Sequence, residues 1–220
     1  MILEICSNSF ISSLNAEKAG ADRIELCRDL HLDGLTPNYS VAKNVIDKIN
    51  IPVFILIRPR DGDFVYSSEE FELMKNDILN FKKMGCKGIV SGILNQDNSI
   101  DVKRTRELVL ISKPLDFTFH RAFDYTNRPV LSLKILKNLG VKRILTSGQE
   151  STAIQGIGLL EKLNKLGNNE ITVMPGSGIN PSNVHYFKKI NIKEIHASAS
   201  KGFDHTQMNI VTEILSKIKR

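Results

Sequence analysis

Eight times along this chain a short run of β-branched and apolar residues ends in polar ones. Each run is followed by a helical stretch, several of which close near glycine. The strand-like runs are Ile2 to Cys6, Arg23 to Cys27, Val53 to Ile57, Gly88 to Leu94, Leu115 to Phe119, Arg143 to Thr146, Ile171 to Met174 and Glu194 to Ala197. The helical stretches span about Phe10 to Ala19, Ser40 to Ile49, Ser67 to Gly85, Asp101 onward, Pro129 to Leu139, Thr152 to Leu166, Asn180-Pro181 onward, and a last one that closes at Arg220. Parallel neighbours need a long crossover, so this alternation predicts a parallel sheet covered by helices. Eight such units in 220 residues predict an α/β fold, a (β/α)₈ TIM barrel forming one domain over residues 1–220. An open doubly wound sheet calls for a glycine-rich turn after its first strand. Here that strand runs into Cys6-Ser7-Asn8-Ser9.

Local signals agree with this reading. Ser67 and Glu70 have capping-box spacing: a hydroxyl takes an orphan helix N–H and the carboxylate reaches back. Pro129 opens a helix where its missing N–H costs little. A content of 41% hydrophobic and 25% charged residues supports a sizeable core and excludes a disordered chain. No apolar run approaches 18 residues and the first residues lack a basic-then-apolar leader, so neither a membrane span nor a signal peptide is expected. Cys6, Cys27 and Cys86 do not make a secreted disulfide framework, which points to the cytoplasm. With no Trp and four Tyr, a stacking surface for nucleic acid is not expected. The net charge of +6 sits largely on helix-like segments such as Lys82-Lys83 and the last four residues.

The functional rim of such a barrel lies at the C-terminal ends of its strands. Strand alternation sorts the residues there. Leu3 and Ile5 must meet helices, so Glu4 and Cys6 face the barrel interior; by the same argument Arg23, Glu25 and Cys27 face inward. Two thiols on strands about 4.8 Å apart suit a soft ion such as Cu(I) or Zn(II), although barrel layering sets neighbouring strands at different heights. Two small buried hydrophobes are the other reading. Inward carboxylates must be paired or protonated. Arg23, Arg58 and Arg60 are the candidate partners of Glu4 and Glu25, either in a structural ion network or around a general acid or base.

The fifth strand ends in Thr118-Phe119-His120-Arg121-Ala122-Phe123-Asp124, where a base, a fixed cation and a carboxylate fall within five positions. Gly176, Ser177 and Gly178 follow the seventh strand. Ser198, within His196 to Gly202, follows the eighth. Barrels often hold phosphate with these two loops. Thr146 and Ser147 add donors on the neighbouring strand end. No Lys lies inside an apolar strand centre, so Schiff-base chemistry is not expected.

These same residues carry a resemblance. Glu4-Ile5-Cys6, Arg23 to Cys27, Gly34-Leu35-Thr36-Pro37, Ile57 to Arg60 with Gly62-Asp63-Phe64, Thr118 to Asp124, Arg143 to Gln149, and Met174-Pro175-Gly176 with Gly178 resemble the CutC copper-homeostasis family from end to end. The family usually carries Gly-Gly where this chain has Asp33-Gly34 and Asp61-Gly62. The resemblance implies a cytoplasmic barrel that forms a homo-oligomer, a dimer or larger, with Cu(I) on Cys6 and Cys27. The residues by themselves also allow an enzyme, of isomerase or lyase type, acting on a small anionic or phosphorylated metabolite. In that reading Glu4 or Glu25 is the base, His120 or His196 assists, Arg58 and Arg121 neutralise charge, and the loops after strands seven and eight hold the anion.

Overall fold

Period-2 alternation along each strand decides which side chains meet helices and which fill the barrel. In the computed structural model, which describes residues 1–200, 202 and 205–218, the strands are β1 (Ile2–Ser7), β2 (Arg23–Leu26), β3 (Val53–Leu56), β4 (Gly88–Ser91), β5 (Asp116–Phe119), β6 (Arg143–Thr146), β7 (Thr172–Pro175) and β8 (Glu194–Ala197). All pairings are parallel, in the order β7-β6-β5-β4-β3-β2-β1-β8. β8 then lies against β7, so the sheet curls into a nearly closed barrel. The helices between strands are α1 (Phe10–Lys18), α2 (Tyr39–Lys48), α3 (Ser68–Met84), α4 (Val102–Ser112), α5 (Pro129–Asn138), α6 (Ile157–Gly167), α7 (Val184–Lys189) and α8 (Met208–Ile218).

The two faces of the sheet build two separate cores. Leu3, Ile5, Ile24 and Leu26 belong to the large outer core between strands and helices. Cys27, Phe54, Leu56 and Val90, with Cys6 and Leu30 against them, form a small inner one. Phe54 takes so much of the barrel that β4 needs a glycine beside it: a Cβ on Gly88 would stand 2.4 Å from the Phe54 ring.

Helix ends follow local chemistry. The Ser67 hydroxyl accepts the Glu70 N–H and the Glu70 carboxylate accepts the Ser67 N–H, and Gly85 closes α3 in the left-handed region. Two helices start later than their composition suggests. The stretch from Thr152 is a turn and α6 begins at Ile157, because the Gly156 backbone is pressed against Ser147 and Gly148. After Asn180-Pro181 the Asn180 side chain accepts the Ser182 N–H, and that of Asn183 accepts the Asn180 N–H. This local turn delays α7 to Val184. β4 stops at Ser91, short of Leu94, which forms an isolated bridge with Ile100 instead. α8 is described to Ile218; residues 219 and 220, where it was expected to close, lie outside the described residues, as does Lys201.

Candidate functional site

Strand register assembles the site. Glu4 lies level with Arg23 on one side and His196 on the other. Its two oxygens are divided between them. Oε2 accepts from Arg23 Nε at 2.5 Å, and Oε1 lies 2.7 Å from His196 Nδ1. Cys6 lies level with Glu25 rather than Cys27, so the expected stagger is present in the backbone. The side chains cross it: Cys6 Sγ and Cys27 Sγ are 3.5 Å apart. Stagger therefore does not separate the thiols, because one inward step is within the combined reach of two cysteines. His196 Nε2 stands 3.4 Å from Glu25 Oε2. Ligand atoms of Cys6, Glu25 and His196 all lie within 4.8 Å of one another.

Burial sets the charge states. By itself it would raise the Glu4 carboxyl, but the Arg23 and His196 charges outweigh it and hold Glu4 at about 2. Burial, with the Glu4 charge added, pushes Glu25 up to about 7 despite His196. Burial disfavours the His196 cation, yet Glu25, Cys6 and Glu4 together hold its proton well above the ordinary imidazole range. Contact with Cys27 and then burial raise the Cys6 thiol. Protonated His196 is thus clasped between an ionised carboxylate and one that readily takes a proton, beside a neutral thiol.

Beneath this group the barrel is closed by a saturated ion network. Arg23 also donates to Glu194 at 2.5 Å, and Arg143 reaches the same Glu194 oxygen at 3.1 Å and Asp116 at 3.0 Å. The two guanidiniums flank the Phe54 ring at 4.9 and 5.1 Å. Above it opens a cavity of about 780 Å³, lined among others by Cys6, Glu25, Cys27, His120, Arg121 and His196.

The other sequence candidates divide. Arg58 lines the cavity, but its guanidinium is given to backbone carbonyls of Leu32, Gly34 and Gly62, so it clamps two loops instead of pairing with Glu4 or Glu25. Arg60 pairs with Glu70 and Asp63, outside the barrel. Asp33 sits in the left-handed region at φ 61°, which short Asp side chains tolerate; the loop keeps a glycine-like conformation without glycine there. His120 Nδ1 accepts the Ala122 N–H at 3.1 Å, and burial with the nearby Arg58 charge holds the ring neutral, at about 3. Arg121 lines the cavity and binds Asp124 at 3.0 Å. Thr146 and Ser147 already hold an anion of the chain itself: the Thr146 hydroxyl and the Ser147 N–H both donate to Asp124. Gly176 is needed for packing, since its Cβ would stand 2.6 Å from Leu145. Ser177, Gly178 and Ser198 do line the cavity. Cys86 is buried in the outer core. His205 bonds Ser9 on the exposed surface.

The structure adds Glu194 and Arg143 to the interior and gives His196 the central place. The signal was present in β8, where Glu194 and His196 repeat the period-2 polar pattern of Glu4 and Cys6.

The chain is similar to known proteins along most of its length. The model of the CutC family matches residues 1–201. The family protein CutC of Photorhabdus laumondii is 45% identical over 199 residues, covering 90% of this chain and 80% of that protein. The human copper homeostasis protein cutC homolog is 44% identical over 199 residues, covering 90% and 73%. A crystal structure of a CutC protein from Streptococcus agalactiae superposes with a TM-score of 0.85 at 31% identity, covering 90% of this chain and 98% of that one. Matched in sequence along nearly its whole length and in the architecture of its barrel, the chain belongs to the CutC family.

Proposed function

We propose that this protein serves copper homeostasis by binding Cu(I) between Cys6 and Cys27, with His196 Nε2 as a third donor once its proton has passed to the neighbouring Glu25. The observation that carries the reading is the 3.5 Å contact between two thiols on the floor of an open cavity. Sulfur and imidazole form a soft donor set suited to Cu(I). Glu4, bonded to His196 Nδ1 at 2.7 Å, orients the ring and leaves Nε2 toward the sulfurs, the usual carboxylate support of a metal-binding histidine. The human relative's name supports the same role. Free thiols support a reducing compartment, and we propose the cytoplasm as the location and a homo-oligomer, a dimer or larger, as the working form. Anaerobic titration of Cu(I) against a competing chelator tests the reading. One tight site per chain, lost in Cys6→Ser/Cys27→Ser, is expected; unchanged stoichiometry in the double variant would remove it.

A second reading rests on Glu25, a carboxyl near pH 7 that faces the same cavity beside His196. An isomerase or lyase acting on a small anionic or phosphorylated metabolite would use Glu25 as base and His196 as acid. Glu4 would orient His196, and His120, Arg121 and the Ser177–Gly178 and Ser198 loops would face the anion. Inorganic phosphate should then raise Tm, and Ser198→Glu should abolish the rise. No change in Tm with phosphate counts against this reading.

A further inference from the structure

We infer that copper reaches this cavity as a complex with a small zwitterionic thiol, whose charged groups dock on the rim while the metal passes to Cys6 and Cys27. The inference deepens the copper reading and rests on it.

Size is the first argument. A bare ion replaces a volume on the order of one water, about 30 Å³. The cavity above the thiols is about 780 Å³, within the range that holds small organic ligands. Aqueous Cu(I) travels on soft ligands, so a chelate is the form that such a space suits.

The walls state what kind of chelate. On the β5 side Arg121 lines the cavity with its side chain 37% exposed. Next to it, His120 spends Nδ1 as an acceptor, so its proton sits on Nε2. That buried N–H finds no acceptor among the described residues. Ser177, Gly178 and Ser198 stand at the ends of β7 and β8. This half offers donors and positive charge, which a carboxylate satisfies. The loops after β2 and β3 bring exposed Asp33 and Asp61 to the same cavity, facing a ligand's ammonium group. In the strand order these loops are well separated from β7. Leu56, Leu145 and Ile179 line the space between rim and floor, against the carrier's methylenes.

The exchange balances without an oxidant. A bis-thiolate complex, RS–Cu–SR with charge −1, meets two Cys–SH groups. Two Cu–S bonds to the carrier break and two to Cys6 and Cys27 form. The protons of the cysteine thiols leave on the departing thiols as two RSH, and the His196 Nε2 proton passes to Glu25, 3.4 Å away. Copper stays Cu(I) and the −1 charge stays with it.

Reduced glutathione, a thiol with both carboxylates and an ammonium group, is the probe. Copper-free protein is expected to bind it in calorimetry. Arg121→Gln should weaken that binding about tenfold, the worth of one charge-assisted hydrogen bond, and Arg121→Lys should restore part of it. Cu(I) should transfer from its glutathione complex about tenfold faster than from its complex with uncharged 2-mercaptoethanol at equal free Cu(I). If the protein takes Cu(I) normally from a chelator but shows no glutathione binding and no preference between carriers, this inference falls and the copper site stands. If Cu(I) is taken from neither source, the copper reading fails and this inference with it.

Discussion

The barrel interior has two ends built from similar ingredients and finished differently. At the lower end Arg23 and Arg143 share Glu194, each holds a further carboxylate (Glu4 or Asp116), and Phe54 lies between them. At the upper end Glu25 has, among the described residues, a single long contact to His196, Cys6 touches Cys27 sulfur to sulfur, and both groups face open space. Buried charges whose bonds are all made within the protein only hold the fold. Buried groups left partly satisfied retain bonding capacity for something else. Glu4 belongs to both ends, one oxygen to each. A 550 Å³ hollow opens below the network as well, but Arg23, Arg143 and Asp116 in its lining are paired with one another's partners.

The comparison breaks most visibly at Arg23. Arg23→Met leaves Glu4 and Glu194 buried with less compensation and should cost about 3–5 kcal/mol. Urea unfolding at pH 7 would show it, with a Tm lowered by roughly 10 °C. A loss below 1 kcal/mol would mean that the lower network is not structural.

At the upper end the largest effect is on metal affinity. The Cys6 thiol is held protonated by Cys27 and burial, so copper must displace protons. If both thiols release one, apparent Cu(I) affinity should rise about a hundredfold per pH unit between roughly pH 6 and 8. Competition titrations at several pH values measure the slope; a flat profile would exclude thiolate ligation.

Gly88→Ala adds a methyl against Phe54 and should cost about 1–3 kcal/mol by overpacking, with Cu(I) stoichiometry unchanged. Unfolding and metal titration on one preparation check both halves.

The smallest effect sharpens the contrast by its sign. Glu25 titrates near 4.5 when unfolded and about 7 when folded. Between these values the native chain binds more protons than the unfolded one. Glu25 therefore withdraws stability as pH rises through that window, and the loss is complete above about 7. Glu25→Gln should thus gain on the order of 1 kcal/mol over wild type at pH 8 compared with pH 5. An Arg23-type destabilisation in denaturation at both pH values would assign Glu25 to the structural network instead.

Much of this was legible because period-2 alternation and capping are local. Leu3 and Ile5 against helices require Glu4 and Cys6 inside, and Ser67 with Glu70 fixes the start of α3. What escaped was long-range. Nothing near Arg58 in the chain announces that Leu32, Gly34 and Gly62 will take its guanidinium. Thr146 and Ser147 looked like anion donors and are, but the anion is Asp124, 22 and 23 positions away. The sulfur contact depends on how far side chains reach across a stagger, which strand pattern does not encode. The late start of α6 follows from one backbone pressing on another.

The strand order begins at β7 and ends at β8, which lie side by side while their ladders run to the other neighbours. The cylinder is therefore a wound ribbon with a seam. Amides of interior strands such as β3 are tied on both flanks and exchange with deuterium through the rarest openings. The seam is where the ribbon parts first. Ser177 and Ser198 stand at its upper end, so the most frequent breathing of the barrel opens directly beside the mouth of the cavity.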